Sequence, residues 1–161
     1  MMIRYGHYFF IVTALLSIMH LAATVTQGET GVTIKRVEEA TLDKLLADAD
    51  SRLLISFMAA WCGPCIDELP TLSKLHRKYK KRGLKIIGIS IDLGGPAAMQ
   101  PAITELKIDF PVYWFGEKSI HKFKLNAIPM LLIIRQGKIV ERMYGKRTEK
   151  FLDKKIQELL R

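Results

Sequence analysis

The sequence predicts an α/β fold in which a central mixed β-sheet is flanked by helices. Short apolar runs of strand length alternate along the chain with longer segments whose apolar residues recur at helical spacing. Close to the C-terminus, two strand-like runs are separated by too few residues for a helical crossover, so these strands must pair antiparallel. The chain has 161 residues, 49% hydrophobic and 25% charged, which is enough for one domain and a short appendage.

The first elements of the predicted domain are a helix, a buried strand and a second helix. Thr41 is a candidate cap for the first helix. The apolar residues of that helix are Leu42, Leu45, Leu46 and Ala49. Residues 53–58 form an apolar run with one polar residue, which is typical of a strand buried on both faces. A helical pattern then covers 63–82, where we expect Pro70 to kink the helix and Gly83 to end it.

The middle of the chain continues this alternation of strands and helices. Residues 84–91 are a second buried strand, and a Gly-Gly-Pro loop leads from it into a helix that ends near Lys107. Residues 111–115 form a third strand-like run, and a short helix over 118–123 follows it. Strand and helix therefore alternate as they do around parallel strands.

The C-terminal part is predicted to be an antiparallel hairpin and a closing helix. The hairpin strands are residues 130–134 and 138–144, joined through the turn 135–137. Thr148 is a candidate cap for the last helix. The apolar residues of this helix are Leu152, Ile156, Leu159 and Leu160.

The N-terminal segment lies outside this pattern. Residues 5–28 contain no Asp, Glu, Lys or Arg and are mostly apolar, which is typical of an export segment. We therefore predict a signal peptide or an N-terminal membrane anchor over 1–28, a linker or leading segment over 29–40 and the domain over 41–161. Cleaved signal and retained anchor both stay open, because no clean Ala-x-Ala cleavage site is present and the run is just long enough to span a bilayer.

The chain is basic, with a formal net charge of +9. Its densest basic run, residues 76–82, is interpreted as a solvated helix end, where cations are favourable. Because no nucleic-acid-binding motif accompanies the charge, we predict no nucleic-acid partner. An anionic membrane surface or an acidic partner fits the charge better.

The two cysteines of the chain carry its clearest chemical signal. They lie two residues apart in Trp61-Cys62-Gly63-Pro64-Cys65, between a predicted buried strand and a helix. Unpaired backbone N–H groups at a helix start favour a thiolate, so we expect Cys62 to be the attacking sulfur. Cys65 lies nearly one turn further on, where it can close a disulfide with Cys62 and resolve a mixed disulfide.

Two other uses of the cysteine pair fit the sequence less well. A zinc site or an iron-sulfur cluster needs about four ligands, and the histidines are scattered and offer no second half-site. These histidines are His7, His20, His76 and His121. A purely structural disulfide that closes so small a loop would remove little chain entropy. We therefore predict a redox-active pair that works without a metal or a further cofactor.

These residues resemble the thioredoxin superfamily, and more closely its exported, membrane-associated TlpA/ResA-like branch. The resemblance covers residues 41–161. Its motifs are Trp61-Cys62-Gly63-Pro64-Cys65, Glu68-Leu69-Pro70, Phe110-Pro111-Val112 and Ile128-Pro129. It implies a thioredoxin fold with an added strand-helix segment between the helix that follows the cysteines and the hairpin.

The resemblance also implies where a substrate binds. Pro129 is expected to be a cis-proline beside the dithiol, where the Ile128 backbone can pair with a substrate chain. Trp61 is similar to the tryptophan that shields the dithiol in the family. We expect Trp61, Gly63 and Pro64 to contact the substrate as well.

A carboxylate is expected to serve the exchange. Ordinary thioredoxins carry a buried Asp six residues before the first cysteine, and Ser56 holds that position here. Glu68 lies three residues past Cys65 on the same helical face, and it matches the acid that the TlpA/ResA-like branch places after its motif. We predict Glu68 as a proton acceptor for Cys65; the alternative is a solvated glutamate on a charged helix.

The activity that the resemblance implies is thiol-disulfide oxidoreduction outside the cytoplasm, in the periplasm or on the outer face of the cytoplasmic membrane. The leading hypothesis is a reductase of exported protein disulfides that keeps the cysteines of apocytochrome c reduced. Its electrons would come from a membrane thiol-disulfide donor, and residues 5–28 would associate it with the membrane. The direction stays open, because the same dithiol oxidises or reduces according to its potential.

Two other functions stay open on the same fold. One is an oxidase or isomerase of exported proteins, and the other is a copper-binding chaperone. Copper-delivery relatives use a Cys-x-x-x-Cys pair with a downstream histidine, whereas the spacing here is Cys-x-x-Cys. We therefore interpret His121 as a surface residue and predict no metal site.

Overall fold

The computed structural model describes residues 31–48, 50 and 52–161. Its strands are β1 (Lys35–Arg36), β2 (Arg52–Met58), β3 (Leu84–Ser90), β4 (Val112–Trp114), β5 (Met130–Arg135) and β6 (Lys138–Tyr144). Its helices are α1 (Glu39–Ala47), α2 (Gly63–Tyr79), a short 3-10 helix (Lys80–Arg82), α3 (Pro96–Glu105), α4 (Lys118–Phe123) and α5 (Glu149–Leu159). The predicted export segment 1–28 lies outside these residues. Of the helices described, none has the length and apolarity to cross a membrane.

The six strands form one mixed sheet in the order β1-β4-β3-β2-β5-β6. Neighbouring strands pair in parallel from β1 through β4 and β3 to β2. By contrast, β5 pairs antiparallel with both β2 and β6. The predicted mixed sheet and its C-terminal hairpin are therefore confirmed. The predicted added segment corresponds to α3, β4 and α4, which lie between β3 and the hairpin.

From residue 31 onward, the segment before α1 belongs to the domain, so of the two predictions for 29–40 the leading segment describes these residues and the linker does not. The two residues of β1 lie opposite Tyr113 and Trp114 of β4. Ile34 and Val37 flank β1 and are both buried in the core. A two-residue strand gives almost no periodic signal, which is why the sequence pattern does not show it.

The first helix begins earlier than predicted. Glu38 holds the N-cap position, and its carbonyl accepts the Thr41 amide at 3.0 Å, so Thr41 lies inside the helix and is not its cap. The Val37 amide donates to the Trp114 carbonyl at 3.0 Å. The chain is thus held to the sheet as far as Val37 and turns into the helix directly afterwards. Ala49 lies outside the described residues.

The other helix boundaries follow their predicted signals. Pro70 lies inside α2, whose helical turns continue as the 3-10 helix and end at Gly83. Gly83 has a φ of +90°, a left-handed conformation that favours glycine. The Thr148 hydroxyl oxygen accepts the Phe151 amide at 3.3 Å and so caps α5 as predicted.

The core consists of two apolar clusters on opposite faces of the sheet. Along β2, Leu54 and Met58 belong to the first cluster, whereas Leu53 and Phe57 belong to the second. This alternation follows from the two-residue period of a strand. The first cluster also holds both cysteines and the buried faces of α2 and α5. The cysteine pair is therefore built into the core at the carboxyl edge of the sheet.

Candidate redox-active site

The turn after β2 places the first cysteine at the start of α2. The strand ends at Met58, and the Cys62 amide then donates to the Ala59 carbonyl at 3.0 Å. Cys62 has an extended backbone and holds the N-cap position of α2. Gly63 and Pro64 open the helix, where the fixed φ of proline is suitable and its missing N–H leaves no hydrogen bond unmade.

The two cysteines are joined as a disulfide. The Cys62–Cys65 S–S distance is 2.04 Å, and their Cα atoms lie 5.2 Å apart. The Cys62 sulfur also accepts the Cys65 backbone amide at 3.3 Å. Cys62 is 6% exposed and Cys65 is 2% exposed, so the sulfur predicted to attack is the more accessible one. In the reduced protein, the amides at this helix start can stabilise a thiolate on Cys62.

The Ile128–Pro129 peptide bond is cis, as the resemblance implies. Met130 pairs with Phe57 in the antiparallel ladder of β5 and β2, so Pro129 lies at the end of β2 from which the cysteine turn departs. Pro129 is buried, whereas Ile128 is partly exposed and packs against the cluster that holds the cysteines. The Ile128 backbone thus lies at the edge of the sheet where the disulfide lies.

The predicted contact residues on the cysteine turn face solvent. Trp61 is 69% exposed, which is unusual for so large an apolar side chain. Gly63 and Pro64 are exposed as well. Leu93, which follows β3, is 78% exposed and was not singled out by its sequence pattern. Together these residues leave apolar surface uncovered around a buried disulfide.

Glu68 is buried in α2 and is therefore not the solvated glutamate of the alternative interpretation. It is 1% exposed. Its Oε1 accepts the backbone amide of Arg147 at 2.8 Å, in the loop between β6 and α5. Its Oε2 is buried and has no hydrogen-bond partner among the residues described.

The environment of Glu68 changes its proton affinity. Burial raises the pKa of the Glu68 carboxyl group, while the hydrogen bond from the Arg147 amide and the charges of Arg147 and Lys146 oppose the rise. A carboxyl group with a raised pKa exchanges its proton closer to neutral pH than an ordinary glutamate does. The predicted role in proton transfer to and from Cys65 stays a prediction, which this environment supports.

A second buried carboxylate was not identified from the sequence. Asp92 lies two residues past the end of β3, and its Oδ1 accepts the Ala60 amide at 3.0 Å, in the turn that leads to Cys62. The signal that could have found Asp92 is its position at the carboxyl end of a strand that pairs in parallel with β2. Ser56, by contrast, is buried within β2 and supplies no carboxylate.

His121 lies on the surface, as predicted. Across 31–48, 50 and 52–161, no group of three or more His, Cys, Asp and Glu side chains is arranged to hold a metal ion. His76 is half-buried, and burial lowers the pKa of its imidazole.

Comparison with known proteins places the chain in a family. The AhpC/TSA family profile matches residues 28–143, and the chain therefore belongs to this family. The thiol-disulfide oxidoreductase ResA of a Bacillus cereus strain is 30% identical over 109 residues. The match covers 66% of this chain and 62% of that protein, so the chain spans less than two thirds of the ResA relative.

Solved structures of low sequence identity share the fold. A thiol:disulfide interchange protein of the thioredoxin family from Chlorobium tepidum TLS superposes with a TM-score of 0.65 at 21% identity, over 74% of this chain and 85% of that one. StoA from Bacillus subtilis superposes with a TM-score of 0.57 at 19% identity, over 65% of this chain and 81% of that one. The predicted thioredoxin fold is therefore confirmed.

Proposed function

We propose that this protein is a thiol-disulfide oxidoreductase that works by dithiol-disulfide exchange through Cys62 and Cys65. The observation that carries the proposal is the disulfide between these residues at the N-terminus of α2. The name of the ResA relative, thiol-disulfide oxidoreductase, supports the same activity. No metal or further cofactor is needed, because the disulfide itself accepts and donates the electrons.

In the reducing direction, the exchange has two steps. The Cys62 thiolate attacks one sulfur of a client disulfide, an S–S bond forms between Cys62 and the client, and the second client sulfur leaves as a thiolate. Cys65 then attacks the Cys62 sulfur, which closes the Cys62–Cys65 disulfide and releases the first client sulfur as a thiolate. Two electrons pass from the dithiol to the client, and the client thiolates take up protons.

Glu68 serves the second step of this exchange. Cys65 is 2% exposed, so its thiol has little access to water as a proton acceptor. Glu68 follows it by nearly one helical turn, and its Oε2 has no hydrogen-bond partner within the described part of the chain. We assign Glu68 as the acceptor of the Cys65 proton, which makes Cys65 the thiolate that resolves the mixed disulfide.

The client contacts the exposed surface around the disulfide. Trp61 supplies apolar area, Gly63 and Pro64 let a chain approach Cys62, and the backbone of Ile128 beside Pro129 pairs with an extended client segment. The burial of Cys62 supports this arrangement, because a client that reaches a nearly buried sulfur must also touch the residues around it.

The biological setting that we propose is extracytoplasmic, in the periplasm or on the outer face of the cytoplasmic membrane. The uncharged run 5–28 supports export or membrane association. The clients are exported protein disulfides such as those of apocytochrome c, and a membrane thiol-disulfide donor supplies the electrons. Nucleic acid is not a partner.

A redox titration against glutathione tests the proposal. A reductase should have a Cys62–Cys65 potential close to that of thioredoxin, about −270 mV, whereas an oxidase would lie near about −120 mV. The copper stoichiometry of the reduced protein tests the alternative function, a copper-binding chaperone. The double variant Cys62→Ser, Cys65→Ser is the matched blank in both experiments. A chain that binds Cu(I) one to one and does not exchange with glutathione would replace the oxidoreductase by the copper chaperone.

A further inference from the structure

A buried carboxylate that takes no part in the exchange chemistry faces the turn that carries the nucleophile. Asp92 is 2% exposed, and its Oδ1 and Oδ2 lie 3.0 and 3.2 Å from the Ala60 amide nitrogen. Its Oδ2 also accepts the Ser90 hydroxyl at 2.8 Å. Hydrogen bonds to an ionised acceptor are stronger than those between neutral groups. Both carboxylate oxygens are therefore committed to protein donors.

The amide that Asp92 holds lies in the middle of the cysteine turn. This turn runs from Ala59 to Cys62 and is closed by the Cys62 amide, which donates to the Ala59 carbonyl at 3.0 Å. Ala60 and Trp61 are its two central residues. A bond that fixes the Ala60 peptide therefore also fixes the direction in which the chain enters the N-cap of α2.

Asp92 is itself held from two sides. The indole Nε1 of Trp114 donates to the Asp92 carbonyl at 2.7 Å, and the Arg36 guanidinium lies 4.1 Å from the centre of the Trp114 ring. The Ile91 amide donates to the Met58 carbonyl at 3.0 Å, one residue before the turn begins. The Asp92 carboxylate thus connects the end of β3 to the turn that follows β2. The backbone of Asp92 is itself fixed by contacts that involve residues of β1, β2 and β4.

We propose that Asp92 is a positioning residue: its carboxylate clamps the Ala60 amide and thereby holds the Cys62 sulfur at the start of α2 in the geometry required for attack. This inference rests on the proposed function. A group that only stabilised the fold would leave the exchange rate of the folded protein unchanged. A positioning group lowers that rate, because a reacting atom displaced by about 1 Å can lose about 100-fold in rate.

Two substitutions separate geometry from charge. Asp92→Asn keeps a carbonyl oxygen for the Ala60 amide and places an NH₂ donor next to the Ser90 hydroxyl oxygen. Asp92→Ala removes every acceptor. Asp109→Ala is the matched control, because Asp109 is an exposed carboxylate next to the amino end of β4, at the opposite edge of the sheet.

The full chain is reduced and mixed with a small aromatic disulfide, and the second-order exchange rate is measured together with urea unfolding. Asp92→Ala should lower the exchange rate about 100-fold, whereas Asp92→Asn should stay within about threefold of the parent. Amide hydrogen exchange supplies a readout that is independent of activity. Asp92→Ala should lose protection at the Ala60 amide and keep it at the Ile87 amide in β3, and Asp92→Asn should keep both.

Three results would overturn the proposal. In the first, Asp92→Ala loses protection at Ala60 and still exchanges at the parent rate. In the second, Asp92→Asn is as slow as Asp92→Ala, which would make charge the operative property. In the third, Asp92→Ser, which shortens the side chain and is used if Asp92→Ala does not fold, loses protection at the Ala60 amide and still exchanges at the parent rate. A parent protein that exchanges with no disulfide contradicts the proposed function itself.

Discussion

Glu68→Gln should stabilise the oxidised protein at neutral pH and leave its stability unchanged in acid. Burial raises the pKa of Glu68 in the folded protein above its value in the unfolded chain. Such a group contributes its stability fully below the unfolded pKa, and this contribution is lost as the pH rises through the folded pKa. Glutamine has the shape of the protonated acid and does not titrate. The variant therefore keeps the stability that the parent loses when Glu68 ionises.

The size of this effect follows from the two carboxylate oxygens of Glu68. The glutamine carbonyl can still accept the Arg147 amide, which lies 2.8 Å from Oε1 in the parent. The charge at Oε2 makes the difference: this atom is buried and no described residue donates a hydrogen bond to it, and glutamine places there an NH₂ group that is also unpaired but neutral. An unsatisfied buried polar group costs about 1–3 kcal/mol and more when it is charged, so we expect the free energy of unfolding to rise by about 1–2 kcal/mol above the folded pKa.

Urea unfolding of the oxidised protein between about pH 4 and about pH 8 measures this difference across the range in which a buried glutamate titrates. Asp67→Asn is the matched control: Asp67 is the exposed neighbour of Glu68 and pairs with Lys146 at 3.1 Å, so its effect should stay below about 1 kcal/mol at every pH. A gap between parent and Glu68→Gln that is the same at every pH would refute the buried, titrating carboxylate. The pH profile of the exchange rate should move in the same variant.

Two further predictions concern the client surface and the leading strand. Trp61→Ala should raise the KM for a protein disulfide about tenfold and leave the rate with a small disulfide unchanged. Phe151 is an exposed aromatic residue on α5, and Phe151→Ala should change neither quantity. Equal effects of Trp61→Ala on both substrates would show that Trp61 does not contact the client. Ile34→Ala should lower the free energy of unfolding by about 2 kcal/mol in urea titrations, because Ile34 is buried in the core beside β1. Thr33→Ala, at the exposed neighbouring position, is its control. If the two variants are equally stable, residues 31–38 do not contribute to the core and form a linker.

The long elements of the fold could be predicted because their signals are local. The apolar run of β2 and the helical spacing after Gly63 each extend over several residues of one element. The hairpin follows from the short separation of β5 and β6, which excludes a crossover. By contrast, β1 has two residues and owes its place to the pairing with Tyr113 and Trp114, which no local pattern encodes.

The residues of the site also differ in whether a local sequence pattern can predict them. The cysteine pair can be recognised from spacing and placement, because both cysteines and the helix start lie within a few residues. The resemblance points to Glu68, but its partner Arg147 is 79 residues away in the chain. Asp92 is 32 residues from Ala60, and only the parallel pairing of β2 and β3 brings the two together. A contact of this kind depends on strand register, which the sequence pattern does not specify.

Trapping a mixed disulfide tests the central claim most directly. Cys65→Ser removes the resolving sulfur and Cys62→Ser removes the nucleophile, and each variant is reduced, mixed with a protein disulfide and examined by mass spectrometry. We predict that Cys65→Ser accumulates a mixed disulfide through Cys62, because Cys62 is the more exposed sulfur at the N-cap of α2. Cys62→Ser should accumulate almost none. Equal trapping by the two variants would contradict the assigned roles, and no trapping by either would contradict dithiol-disulfide exchange.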